Sequence, residues 1–166
     1  MTVSEDVAAL AARAIATLEA TGVHDEALGA WRRSRGLFGV GSSDSLVPAG
    51  RAWRLGVLLL DRGGLLYSTG AVTRAIQPGR AAVNRSAAGE ERRTIRASAA
   101  RGSFAYGEVI NHGWERIALD DASLAAGSGP LSLQDGVAVV RFDQGDLGVA
   151  PLDRYLSDRV DILIGD

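Results

Sequence analysis

The chain contains no cysteine and no lysine, and only 5% of its residues are aromatic. Without cysteine there can be no disulfide, thiolate zinc site, iron–sulfur cluster or cysteine nucleophile. Without lysine there is no P-loop phosphate contact, no pyridoxal Schiff base, no kinase-type lysine and no Ser–Lys nucleophile. All 18 cationic side chains are therefore arginines. A high-GC genome encodes the same bias toward arginine, alanine and glycine, so arginine content alone says nothing about phosphate binding.

Long apolar runs are also missing. An apolar run such as Val57 to Leu60 falls far short of the roughly 20 residues that span a membrane. Met1 to Thr21 carries Glu5, Asp6 and Glu19, unlike a secretory signal, and reads as a cytoplasmic start. Without an export signal, the sequon Asn84-Arg85-Ser86 reads as a chance match.

What remains is ample for a core: 166 residues, 46% of them hydrophobic, sustain a domain without staples. The net charge of −2 conceals a division along the chain. Residues 1–73 balance, residues 74–101 carry seven arginines against Glu90 and Glu91, and residues 102–166 carry four arginines against eleven acids. A basic middle can mark an anion-binding face, or it can neutralise the acidic third when the two pack together.

Helical spacing of Val7, Leu10, Ala11, Ala14, Ile15 and Leu18 predicts a helix over 4–21, with Ser4 as N-cap and Gly22 after its end. A second helix is expected from Asp25 to Arg35, anchored by Trp31 and closed electrostatically by Arg32, Arg33 and Arg35. Gly36 to Gly50 reads as a loop. Ala52 to Leu60 is apolar on both faces, as a central strand would be. A turn at Asp61-Arg62-Gly63-Gly64 then returns a strand over 65–69, and 71–76 continues the sheet before Pro78-Gly79.

Ser86 can cap a helix running to Arg101, and a short helix fits 121–126. Leu131 to Gln134, Asp135-Gly136 and Val137 to Phe142 make the strongest local signal, a type I′ hairpin with Leu131 and Leu133 on the face of Ala138 and Val140. Pro151 opens a last helix to about Arg159, followed by the apolar tail Val160 to Ile164. There is no internal repeat. These elements predict a single α+β domain over 1–166, with a helical N-terminal segment at 1–36 and a sheet-containing core at 51–166. The sheet should be antiparallel, with about four to six strands and with helices at the N-terminus, middle and C-terminus.

Chemistry is sparse. The two histidines are His24, in a solvated turn, and His112. His112 lies in the richest polar cluster, Glu108 to Arg116, where it could act as a general base oriented by Glu108 or Glu115. Alternatively, Asn111-His112-Gly113 forms a hairpin tip that pairs Ile110 with Trp114 and Glu108 with Arg116, leaving an exposed histidine. Gly39-Val40-Gly41-Ser42-Ser43-Asp44 begins like a dinucleotide fingerprint but has an acid at the third glycine position. Leu66 to Gly70 lacks the first glycine of a nucleophile elbow. Trp31 and Trp53 beside arginines resemble a base-stacking pair, yet both indoles suit core anchors.

The segments Trp53 to Asp61, Ser68 to Arg74, Gly129 to Leu133 and Pro151 to Leu156 look similar to a small uncharacterised family of high-GC bacteria sometimes labelled "glutaminase". That label implies a Ser-x-x-Lys set or a cysteine nucleophile, and this chain has neither lysine nor cysteine. The residues therefore do not support the label.

Three expectations follow. The first is a non-catalytic cytoplasmic domain that binds a protein partner or a small molecule, with segregated charge suited to a homodimer. The second is a small hydrolase or amidohydrolase using His112 with Glu108 or Glu115. The third is an anion or nucleic-acid binder using Arg92, Arg93, Arg96 and Arg101, although a pI of about 5.7 disfavours nucleic acid. No cofactor, metal site or membrane association is expected.

Overall fold

The computed structural model describes residues 2–34, 43–77, 86–144 and 147–165. The fold is α+β, with helices at the N-terminus, middle and C-terminus as expected. Two compact units emerge from the chain. One comprises Met1–Asp25, Ala52–Thr69 and Trp114–Asp166; the other comprises Glu26–Arg51 and Gly70–Gly113.

The first unit begins with α1 (Val3–Thr21). Its cap is Thr2 rather than Ser4: Thr2 accepts from the Glu5 N–H while Glu5 accepts from the Thr2 N–H, a reciprocal capping box. Gly22 ends the helix at φ 70°. The buried stripe Val7, Ala11, Ala14 and Leu18 repeats at helical spacing. It packs with Leu152, Tyr155, Leu156 and Val160 of α4 (Leu152–Gly165). That last helix starts one residue after Pro151 and runs through the apolar tail. Each large aliphatic side chain buried here contributes about 1.5–3 kcal/mol of transfer free energy.

The expected single strand over 52–60 is instead a hairpin. The end of β2 (Ser43–Leu55) turns at Gly56 into β3 (Leu58–Asp61). Gly56 sits at φ +66°, and a Cβ there would lie 2.3 Å from the Tyr155 hydroxyl. The strand pattern alone hides this turn because Leu55 and Leu58, on either side of it, are both buried. β3 pairs antiparallel with β4 (Leu66–Ser68), which pairs with β7 (Glu115–Arg116). Trp53 is fully buried; its indole N–H donates to the Val23 carbonyl at 2.9 Å, and the Arg62 guanidinium covers its ring. α3 (Asp121–Ala126) follows β7. A three-stranded antiparallel sheet contains β8 (Leu131–Gln134), β9 (Val137–Arg141) and β10 (Val149–Pro151). Its register sets Leu131 opposite Val140 and Leu133 opposite Ala138, as the sequence predicts. Asp135 and Gly136 both have positive φ, as a type I′ turn demands.

In the second unit the order is β5-β6-β1-β2, where β1 is Glu26–Ser34, β5 is Ala71–Arg74 and β6 is Val109–His112. β1 replaces the helix expected over 25–35, and strand extends into the loop expected over 36–50, from Ser43 onward. Local propensity favoured a helix, but parallel pairing of Ala27 with Ile110 and of Leu28 with Asn111 wins. Gly29 permits the close approach: a Cβ there would lie 2.7 Å from Ile110 and 2.9 Å from Leu46. The parallel β1–β6 pair beside the antiparallel β5–β6 pair makes this sheet mixed, where an antiparallel sheet was foreseen. α2 (Ala87–Arg101) has Ser86 as its cap, as foreseen, and covers Ile110 through Ala99.

Residues 35–42 and 78–85 lie outside the description, and with them most of the Gly39–Asp44 loop, Pro78-Gly79 and Asn84. No helix among the described residues is long and apolar enough to cross a membrane.

Candidate functional site

Strand alternation puts Ile110 and His112 of β6 on one face and Asn111 on the other. Antiparallel register brings Ala71 opposite His112 and Thr73 opposite Ile110. α2 lies against β5, and its residues Arg92, Ile95 and Arg96 share a face by their spacing of three and four. Between them lies a groove of about 420 Å³. Ala71, Val72, Thr73 and Arg74 of β5 line it with His112 and with Arg92, Ile95 and Arg96 of α2; alternation sets the Ala71 and Thr73 side chains on the face of His112 and those of Val72 and Arg74 on the face of Asn111. No acid among the described residues lines it.

His112 is 93% shielded, not the hairpin tip that the sequence suggested. The hairpin fails because β6 pairs with β5 and β1, whereas Arg116 on β7 pairs with Tyr67 on β4. Trp31, expected as a helix anchor in the core, is a half-exposed strand residue whose ring meets the His112 imidazole edge-on at 5.9 Å. Burial strips water from His112 and lowers its pKa from the ordinary 6.5. Asn111, behind it, is fully buried and donates to Glu26 at 2.7 Å.

The two carboxylates proposed to orient His112 do other work. Glu108 takes the Arg51 guanidinium on one oxygen and the Ala105 N–H, at 3.1 Å, on the other. Glu115 belongs to the first unit, exposed on β7, where its carbonyl accepts from Ser68. His24 is exposed, as expected. Among the described residues, no three His, Asp or Glu side chains are placed to hold a metal ion.

The four arginines also divide. Arg92 and Arg96 line the groove and are exposed. Arg93 is offset by ~100° around the helix and does not line it. Arg101 is held by the Asp44 carbonyl at 3.2 Å and Ser98 Oγ at 3.1 Å. The helical alignment of Arg92 with Arg96 was legible in the sequence; Arg74, Thr73, Ile95 and Trp31 were not, because only the order of β5, β6 and β1 gathers them.

Arginine heads above an apolar floor can bind the anionic group of a ligand while the floor covers its carbon body. Comparison with protein-family models, curated proteins and solved structures finds no match.

Proposed function

We propose that this chain is a non-catalytic binding module whose β5–α2 groove receives a carboxylate- or phosphate-bearing ligand. One observation carries the reading: Arg92 and Arg96 line the groove beside His112, with no acid among its lining residues in the described part of the chain. A patch of cations without neutralising acids attracts an anion and orients it. Arg74 is partly engaged, donating to the Gly107 carbonyl at 3.4 Å, whereas no ion pair holds Arg92 or Arg96 among the described residues.

The hydrolase reading is less well supported. A general base needs a partner that fixes its tautomer, and Glu108 is committed to Arg51 and Ala105. A tract of nucleic-acid contacts is also less well supported, since Arg101 is engaged within its own unit.

Trp31 provides the test, because its ring touches His112. Titration with glutarate, and separately with inorganic phosphate, should change indole fluorescence saturably. Trp31→Phe should abolish the signal, and the Arg92→Ala/Arg96→Ala pair should weaken binding at least about tenfold. No saturable binding of either anion by calorimetry, or binding unaltered in the double variant, would overturn the reading.

A further inference from the structure

We infer that the groove's ligand is an extended acidic polypeptide segment, which pairs its backbone with the outer edge of β5 and sets carboxylates against Arg92 and Arg96. The inference rests on the anion-binding reading above and names the class of its ligand.

The edge itself makes the case. β5 is the terminal strand of its sheet order. The Ala75 N–H donates to the Glu108 carbonyl at 3.0 Å, and the Ala75 carbonyl accepts from Gly107 at 2.9 Å. Backbone polar groups alternate in direction along an antiparallel strand. Thr73 and Ala71 therefore turn theirs toward β6 as Ala75 does, and Val72 and Arg74 turn theirs outward. The Arg74 carbonyl is occupied by the Ile76 N–H at 2.9 Å. This leaves the Val72 N–H and carbonyl and the Arg74 N–H facing away from the sheet. Val72, a β-branched residue, is also 47% exposed. An edge of this kind is a template for an added strand.

The wall opposite fits the same occupant. Alternate side chains of an extended segment recur every ~6.7 Å, close to the ~6 Å rise between helical residues four apart. Carboxylates at every second position can then meet Arg96 and Arg92 in turn, with Ile95 apolar between them. Neither a small dicarboxylate nor a nucleic acid uses the Val72 backbone. A peptide alone combines both features.

The test compares five probes on the full chain by calorimetry. These are an acetylated, amidated hexapeptide alternating valine and glutamate, the same peptide N-methylated at every second residue in each of the two registers, glutarate, and oligothymidylate. The hexapeptide should bind at least about tenfold more tightly than glutarate, and one of the two N-methylation registers should remove that advantage. Val72→Pro, which deletes an outward N–H at an edge position that tolerates proline, should weaken the hexapeptide about tenfold; Val72→Ala, which keeps it, should weaken it much less.

If glutarate binds through Arg92 and Arg96 but the hexapeptide binds no better, or both N-methylated registers bind equally well, the peptide inference fails and the anion reading stands. If neither glutarate nor the hexapeptide binds, the anion reading itself fails. Oligothymidylate binding more tightly than the peptide would overturn the inference in favour of a polyanion. A dimer of the chain that dissociates in Arg92→Ala/Arg96→Ala would make the occupant a second copy and overturn a separate peptide partner. Should Val72→Pro not fold, the N-methylated peptides decide the matter with the unaltered protein.

Discussion

His112 and Trp31 meet edge to face, their ring centroids 5.9 Å apart and their planes at 84°. The contact holds the imidazole under cover, and loss of hydration lowers its pKa below 6.5. The folded state thus takes up its proton at lower pH than the unfolded chain does. Between the two values the unfolded chain binds more protons, so this group's contribution to stability rises with pH. It is complete above about 6.5 and is lost as pH falls through the folded value. Denaturant midpoints measured from about pH 5 to about pH 7.5 should fall more steeply on acidification for the unaltered protein than for His112→Gln. A bound anion stabilises the imidazolium, so ligand should move the His112 titration upward in NMR spectra and bind more tightly at the acidic end.

Tyr67 tests the opposite sign. Its phenol donates to Asp61 Oδ2 at 2.8 Å, while Asp61 Oδ1 accepts from the Gly63 and Leu65 N–H groups at 2.9 Å. Burial, then the hydrogen bond to Asp61 and the charge of that carboxylate, push the Tyr67 pKa up to about 12, against a smaller lowering by Arg116. The neutral phenol is favoured in the fold, so its stabilisation is complete below 10 and declines as pH rises toward 12. Asp61→Asn should bring the Tyr67 titration down toward 10, read by phenolate absorbance. It should also cost about 1–3 kcal/mol, because a hydrogen-bonded turn anchor is altered.

These networks show what a sequence exposes and what it conceals. α1, α2 and the Asp135-Gly136 hairpin are legible because caps, apolar spacing and turn residues act within a few positions of one another. β1 is concealed: Glu26, Ala27, Leu28 and Ala30 suit a helix, and only pairing with β6, more than 80 residues later, makes them a strand. The same distance hid the fate of His112. Asn111-His112-Gly113 has local hairpin chemistry, but the partners of β6 are β5 and β1. Of the site, the Arg92–Arg96 face follows from helix geometry alone. The exposed edge of β5 does not, since which strand lies outermost is decided by non-local pairing.

Tyr155 ties α4 to the β2–β3 turn through two hydrogen bonds. Its hydroxyl accepts from the Val57 N–H at 2.9 Å and donates to the Leu55 carbonyl at 3.1 Å. Tyr155→Phe leaves both backbone groups without that partner and should lower stability by about 1–3 kcal/mol. Gly56→Ala should cost at least as much, since it adds a Cβ 2.3 Å from that hydroxyl at a φ of +66°. The two changes touch the same contact, so the double variant should cost less than their sum in urea denaturation.

Glu108 separates the catalytic from the binding reading. Its carboxylate joins Arg51 of β2 and the Ala105 N–H just before β6, so it fixes the approach to the strand that carries His112. Arg51 is half-exposed, which screens the ion pair, while the less exposed Glu108 retains its backbone hydrogen bond. Glu108→Gln keeps an oxygen for the Ala105 N–H and loses the charge opposite Arg51. It should lower stability by about 0.5–1.5 kcal/mol and leave glutarate affinity within about twofold, since Glu108 does not line the groove. A general base oriented by Glu108 would behave differently. The His112 titration would then shift downward in Glu108→Gln, because an imidazolium would lose a carboxylate partner. An unchanged His112 titration beside a lowered denaturation midpoint is the expected pair of results, and NMR with urea unfolding on one variant reads both.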